Sequence, residues 1–199
     1  MRLNLFKKAL LLSYITVGYN LLEGIVSLIA GALANSIALT GFGLDSFVES
    51  LSGIIMVWRL RHHDRLDGEA EKRMEHRALR LIGATFFILG GYVLYESVRK
   101  LYLAEIPKPS LFGIIIALVS LIAMPVLFVQ KYRTGTALGL KSLIADSKET
   151  LACVFLSSSL LVGLTLNYVW KFWWADPVIG LVIVYFLVRE GIEVFGEDD

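Results

Sequence analysis

Six apolar stretches, each long enough to cross a lipid bilayer, follow one another along most of this chain. About 20 apolar residues in an α-helix span a bilayer core of ~30 Å. The stretches lie at about 9–33, 36–58, 79–103, 110–130, 142–168 and 176–195. They predict an all-α membrane protein, a six-transmembrane-helix bundle that forms a single transmembrane domain over residues 1–199 with no cytoplasmic C-terminal domain.

Composition and charge agree with a membrane protein. The chain is 56% hydrophobic, whereas soluble domains are usually about 45–50% apolar even with glycine counted. Little of the chain is left for a soluble domain, so we expect the lipid bilayer, and no nucleic acid, as a partner.

Lysine and arginine residues orient the predicted bundle, because they concentrate in cytoplasmic loops. Most of them lie before the first stretch or in the second and fourth connections: Arg2, Lys7, Lys8, Arg59, Arg61, Arg65, Lys72, Arg73, Arg77, Arg80, Lys131, Arg133 and Lys141. Both termini are therefore predicted to be cytoplasmic. We expect a multi-pass protein of a bacterial-type plasma (inner) membrane.

Acidic residues interrupt two of the apolar stretches. Asp45 and Glu49 lie in the second stretch, and Asp146, Glu149 and Cys153 lie in the fifth. A carboxylate within hydrocarbon costs several kcal/mol, so an intramembrane acid indicates a site for a cation or proton. Residues four apart share one helix face, as Asp45 and Glu49 do, and Glu149 and Cys153 repeat this spacing. Two helices would thus offer four oxygen or sulfur ligands to a divalent metal.

The rise of a helix, ~1.5 Å per residue, gives the depth of each candidate ligand. Glu49 then lies level with Glu149, and Asp45 level with Cys153, while Asp146 lies one turn nearer the cytoplasm. Two alternatives remain at this point. The acids could instead bond nearby serines such as Ser46 and Ser50, and Cys153 could be a packing residue, with Asp146 as the fourth ligand.

Three segments resemble the cation diffusion facilitators. SIALTGFGLDSFVESLSG resembles their second helix, ADSKETLAC is similar to their fifth-helix motif, and WADPVIGLVIVYFLVREGIE resembles their sixth helix. The resemblance implies that Asp45, Glu49, Glu149 and Cys153 occupy the four metal-ligand positions. The sequence departs from the family pattern, with Glu for Asp at 49, Glu for His at 149 and Cys for Asp at 153. The chain looks most like the short, transmembrane-only branch.

The resemblance implies a secondary transporter that exports a divalent transition metal by proton antiport, as a homodimer. Zinc is the favoured metal, and manganese, iron, cobalt and cadmium are alternatives. The metal is a transported substrate, so no cofactor is expected.

A membrane-embedded enzyme and a non-transporting metal-binding subunit are the other hypotheses. The enzyme is disfavoured because no histidine lies within a stretch to form a nucleophile–base pair. A second metal site at His62, His63 and His76 is a weaker hypothesis than a solvated basic loop.

Overall fold

Six α-helices make up the protein in the ranges that the computed structural model describes, residues 2–62, 68–108 and 110–196. The helices are α1 (Arg2–Ala34), α2 (Ile37–His62), α3 (Gly68–Leu103), α4 (Leu111–Leu138), α5 (Lys141–Trp170) and α6 (Ala175–Gly196). Each predicted stretch coincides with one helix, so the predicted all-α class is confirmed. The helices α1, α2, α3 and α4 extend well beyond their apolar stretches, because polar residues continue the helix where it leaves the apolar region.

The outward surface of the bundle is apolar. Side chains such as Leu22, Ile88 and Ile122 are largely exposed, which suits contact with lipid rather than water. Among the described residues, three segments are long and apolar enough to cross a membrane: Asn4–Ala34, Leu111–Leu138 and Asp146–Trp170. The structure is that of a helical integral membrane protein.

Consecutive helices run in opposite directions, so the α1–α2, α3–α4 and α5–α6 connections lie at one end, here called the turn end. The amide of Lys108 donates to the Ala34 carbonyl over 2.8 Å, and the Asn167 side chain donates to the Pro107 carbonyl over 3.3 Å. At the opposite end, the start of α1 packs with the end of α2 in a small apolar cluster that includes Ala9 and Met56. We call this the terminal end, since α1 begins and α6 finishes there.

Asp176 joins two helices at the turn end. Asp176 lies in the first turn of α6, which begins at Ala175. Its carboxylate accepts hydrogen bonds from the Ser36 hydroxyl and, over 2.9 Å, from the Ile37 amide. Asp176 therefore satisfies the free amide at the start of α2, which is an interaction that sequence spacing does not reveal.

Close backbone contact holds α1 against α2. A Cβ atom added to Gly43 would lie 2.9 Å from the Ser27 Cβ and 3.0 Å from the Gly24 carbonyl oxygen. Small residues at helix crossings permit such approach in membrane proteins. The α1–α2 contact fixes the position of α2, which carries Asp45 and Glu49.

We expect Gly43→Ala to destabilise the bundle by about 1–3 kcal/mol, since the added methyl group meets backbone that cannot move aside easily. Gly18→Ala is the matched control, because a Cβ there has nothing within 4 Å. Thermal unfolding in detergent should show a lower Tm for Gly43→Ala only. Equal Tm values for the two variants would contradict the close packing of α1 on α2.

Candidate metal site

Four candidate ligands from two helices line one small cavity. Asp45 and Glu49 of α2 face Glu149 and Cys153 of α5 around a volume of about 20 Å³. A cavity needs about 10–15 Å³ to hold one water molecule, so this space suits a single water or a dehydrated ion. The structure thus brings together the residues that the depth comparison placed at matching levels. That they bind a metal stays a prediction.

Aromatic side chains from the other two neighbouring helices complete the cavity. Phe86 of α3 and Phe186 of α6 contribute to its wall, beside Ala152 and Leu156 of α5. Phe86 is buried, which agrees with a packing role and excludes contact with lipid, whereas Tyr92 and Tyr95 are exposed. Apolar walls lower the local dielectric constant, which strengthens the attraction between a carboxylate and a cation.

Burial leaves some carboxylate oxygens without partners. Asp45, Glu49 and Cys153 are 8%, 7% and 2% exposed. Neither oxygen of the Glu49 carboxylate, nor Oε2 of Glu149, has a hydrogen-bond partner among the described residues. Buried polar groups in folded proteins are nearly always hydrogen-bonded or bound to an ion or water. These oxygens therefore point to a ligand that the cavity takes up.

The nearby serines do not satisfy Glu49. The Ser50 hydroxyl donates to the Ser46 carbonyl over 2.8 Å. The Ser46 hydroxyl lies 3.0 Å from Oε2 of Glu23 and 3.1 Å from the Phe42 carbonyl, and its single proton can serve either acceptor. For Glu49, the alternative in which serines hold a structural acid is wrong.

Glu23 is a further buried acid beside the site, and it lies on α1. Its Oε1 accepts a hydrogen bond from the Tyr19 hydroxyl over 2.8 Å, and Ser46 connects it to the helix that carries Asp45 and Glu49. Because its oxygens have hydroxyl partners, Glu23 differs from Glu49 and acts as a link between α1 and α2.

The candidate ligands surround the cavity without forming a finished coordination sphere. Within the described part of the chain, no group of three or more His, Cys, Asp or Glu side chains is placed to hold a metal ion. Carboxylates repel one another, so drawing several of them to one point requires a positive charge between them. Cation binding at this cavity would therefore require side-chain rotation in α2 and α5.

Asp146 is held outside the cavity wall. Its Oδ2 lies 2.7 Å from the ammonium group of Lys131, and both side chains are buried. The sequence placed Lys131 in a cytoplasmic connection, which is wrong, because α4 continues to Leu138 and buries this lysine. Lys148, by contrast, is exposed.

A larger cavity of about 580 Å³ lies between α5 and α6 toward the terminal end. Lys148 of α5 and Arg189 and Glu193 of α6 line it, and it shares Ala152 and Phe186 with the small cavity. The two cavities therefore adjoin at Ala152 and Phe186.

The histidine hypothesis falls mainly outside the described residues. His63 lies in the segment 63–67, and the structure describes no side-chain position for His62 or His76. That second site stays a prediction.

An apolar helical bundle that encloses several carboxylates defines a membrane protein that handles cations. The match to known proteins is more specific. The family model of the cation efflux transmembrane domain matches residues 13–198. The chain belongs to this family, whose members are transporters rather than enzymes.

Three relatives are similar over most of this chain. Transmembrane protein 163 of Xenopus laevis is 23% identical over 96% of the chain and 67% of its own length. The cadmium, cobalt and zinc/H(+)-K(+) antiporter of Bacillus subtilis is 25% identical over 94% of the chain and 60% of its own length. An uncharacterized transporter of Synechocystis is 25% identical over 84% of the chain and 56% of its own length. The chain thus spans roughly three fifths of these relatives.

Proposed function

We propose that this protein exports a divalent transition-metal cation across a membrane in exchange for protons, with Zn²⁺ as the preferred cargo. The observation that carries this proposal is the small cavity, where three carboxylates and a thiol from α2 and α5 meet inside an apolar bundle. Family membership supports cation transport.

The mixed ligands restrict the choice of metal. Carboxylate oxygens alone suit manganese, iron or cobalt, whereas a thiolate favours zinc or cadmium. Cys153 lines the cavity together with the acids, which supports zinc or cadmium. The Bacillus subtilis relative is named for cadmium and zinc, and also for cobalt.

Exchange for protons follows from the chemistry of the ligands. A carboxyl group or a thiol must lose its proton before it binds a metal, so metal binding releases protons and protonation releases metal. If the cavity opens alternately to the two sides of the membrane, this linkage produces antiport.

The helix contacts suggest which part moves. The main contacts pair α3 with α6, α1 with α2, and α4 with α5, while α6 also packs against α2 and α5, and α3 against α2. The small cavity lies where α2 and α5 meet Phe86 of α3 and Phe186 of α6. Movement of the α3–α6 pair would therefore open the cavity, with the larger cavity as the route from the terminal end.

We assign the terminal end to the cytoplasm and six membrane crossings to the bundle, because lysine and arginine concentrate at that end. A cysteine introduced at Glu105, at the turn end, should react with a membrane-impermeant maleimide in intact cells. Thr136→Cys, exposed near the terminal end of α4, should react only after permeabilisation. The native Cys153 is buried, which keeps the background low. The opposite labelling pattern would invert the proposed direction of transport.

The protein would act in a plasma membrane as a homodimer. The small residue Ser157 makes its contact within the chain, since its hydroxyl lies 2.9 Å from that of Ser120. Gly91 has open space around it and stays available for a partner copy. Mass measurement in nanodiscs would test this, and a monomer at high protein density would exclude it.

Transport by purified protein in liposomes tests the proposed function. Vesicles with an acidic interior should accumulate Zn²⁺ and Cd²⁺, and vesicles without a proton gradient should accumulate much less. Metal binding without any transport would indicate a metal-binding subunit instead. Failure to bind or move any of Zn²⁺, Cd²⁺, Co²⁺ and Mn²⁺ would overturn the proposal.

A further inference from the structure

Lys131 is a buried cation one helix away from the candidate ligands. It lies in α4 and is 0% exposed. Its ammonium group contacts Oδ2 of Asp146 at 2.7 Å and the Thr150 hydroxyl at 2.9 Å. A buried lysine is very costly unless it is paired with an acid and hydrogen-bonded. The two contacts meet that condition and tie the terminal half of α4 to α5.

The pair is placed where its charges act on the site. Asp146 and Thr150 flank Glu149 along α5, and Glu149 lines the small cavity. Both members of the pair interact electrostatically with Glu49 and with Glu149, Lys131 by attraction and Asp146 by repulsion. The charges of Lys131 and Asp146 thus act on the two glutamates in opposite directions. Their effects offset each other only while both charges are present.

We propose that Lys131 is a positioning residue that keeps Asp146 out of the cation site as a neutral pair and thereby sets how tightly the site holds its cargo. The inference rests on the proposed metal transport. With the pair intact, Asp45, Glu49, Glu149 and Cys153 are the ligands, and Asp146 is not. Loss of the lysine charge leaves an additional unbalanced carboxylate next to the cavity, which strengthens cation binding and slows release. Loss of the Asp146 charge leaves an unbalanced ammonium group, which weakens cation binding.

The experiment compares Lys131→Gln, Asp146→Asn and the double variant in the full chain. Zn²⁺ affinity is measured by calorimetry in detergent, and transport is measured in liposomes. We expect Lys131→Gln to bind Zn²⁺ on the order of tenfold more tightly and to transport it more slowly, and Asp146→Asn to bind it on the order of tenfold more weakly. The double variant, in which the charges are again balanced, should return to within about threefold of the original affinity.

Arg133→Met is the matched control, because it removes a positive charge from the exposed face of the same helix and should leave the affinity unchanged. Glutamine at 131 keeps a hydrogen-bond donor for Thr150. If Lys131→Gln does not fold, Asp146→Asn and the double variant still test the proposal, because it predicts that their affinities for Zn²⁺ differ.

Two results would overturn the inference. A double variant that binds as weakly as Asp146→Asn would make Asp146 a metal ligand. Single variants with unchanged affinity but reduced thermal stability would make the pair a structural tie only. Neither result would affect the proposed function, which fails separately if the unmodified protein binds none of the metals tested.

Discussion

Glu49→Gln and Glu149→Gln are each expected to abolish metal transport while leaving the protein folded. Glutamine keeps the volume of glutamate but removes the charge that attracts a cation. Both carboxylates line the small cavity and have buried oxygens without hydrogen-bond partners among the described residues. A loss of about 100-fold in Zn²⁺ affinity, or about 2.8 kcal/mol, is expected for each variant. Asp45→Asn should behave in the same way.

Thermal stability separates this result from simple misfolding. Removing one of several clustered carboxylates relieves repulsion, so the variants without metal should be at least as stable as the original protein. Added Zn²⁺ should raise the Tm of the original protein but not that of the variants, because a ligand stabilises only a state that binds it.

Glu105→Gln is the matched control for loss of one carboxylate. Glu105 lies in the connection between α3 and α4 and pairs with Arg99, far along the chain from the ligands on α2 and α5. Its replacement should leave transport and the Zn²⁺-dependent rise in Tm unchanged. Full transport by the Asp45→Ala, Glu49→Ala double variant would refute the proposed site.

The grouping of the four candidate ligands could be predicted from the sequence, because it depends on the geometry of single helices. Spacing of four residues places Asp45 with Glu49, and Glu149 with Cys153, on single helix faces. Apolar stretches of similar length, entered from opposite ends, place the two pairs at similar depth. Both arguments use one helix at a time, and the structure agrees with both by bringing the four residues to one cavity.

The parts that the sequence did not reveal depend on contacts between helices. Lys131 looks like a loop residue because a lysine within an apolar helix is costly, and only its contact with Asp146 explains its burial. Asp176 looks like a cap for its own helix, yet it binds the start of α2. In both cases a charged group is satisfied by a residue distant in sequence, which helical periodicity cannot indicate.

For the apolar residues Phe86 and Phe186, too, the sequence does not predict which way the side chain faces. An aromatic residue in an apolar helix can face lipid or the protein interior, and neighbouring positions such as Phe87 and Tyr95 do face outward. Packing of α3 against α6 turns Phe86 and Phe186 toward the cavity. The aromatic part of the cavity wall is therefore a product of tertiary packing.

Cys153→Ser is expected to change which metals the protein carries rather than whether it carries any. Serine replaces a soft sulfur ligand with a hard, neutral oxygen, which is a poor ligand for zinc and cadmium. We expect affinity for Cd²⁺ and Zn²⁺ to fall by on the order of tenfold or more, or about 1.4 kcal/mol, and affinity for Mn²⁺ to change little. Competition among Cd²⁺, Zn²⁺, Co²⁺ and Mn²⁺ in liposomes measures the ratio directly.

Cys153→Ala is the companion variant, because alanine tests whether the serine oxygen itself takes part. If Cys153 only packs, alanine and serine should both leave the ratio of Cd²⁺ to Mn²⁺ uptake unchanged, and any loss should appear as lower stability. If it is a ligand, both variants should shift that ratio toward Mn²⁺, with alanine weakening all metals further. An unchanged ratio in both variants would leave an oxygen-only site, and the preference for Zn²⁺ would then have to be abandoned in favour of a harder cation such as Mn²⁺.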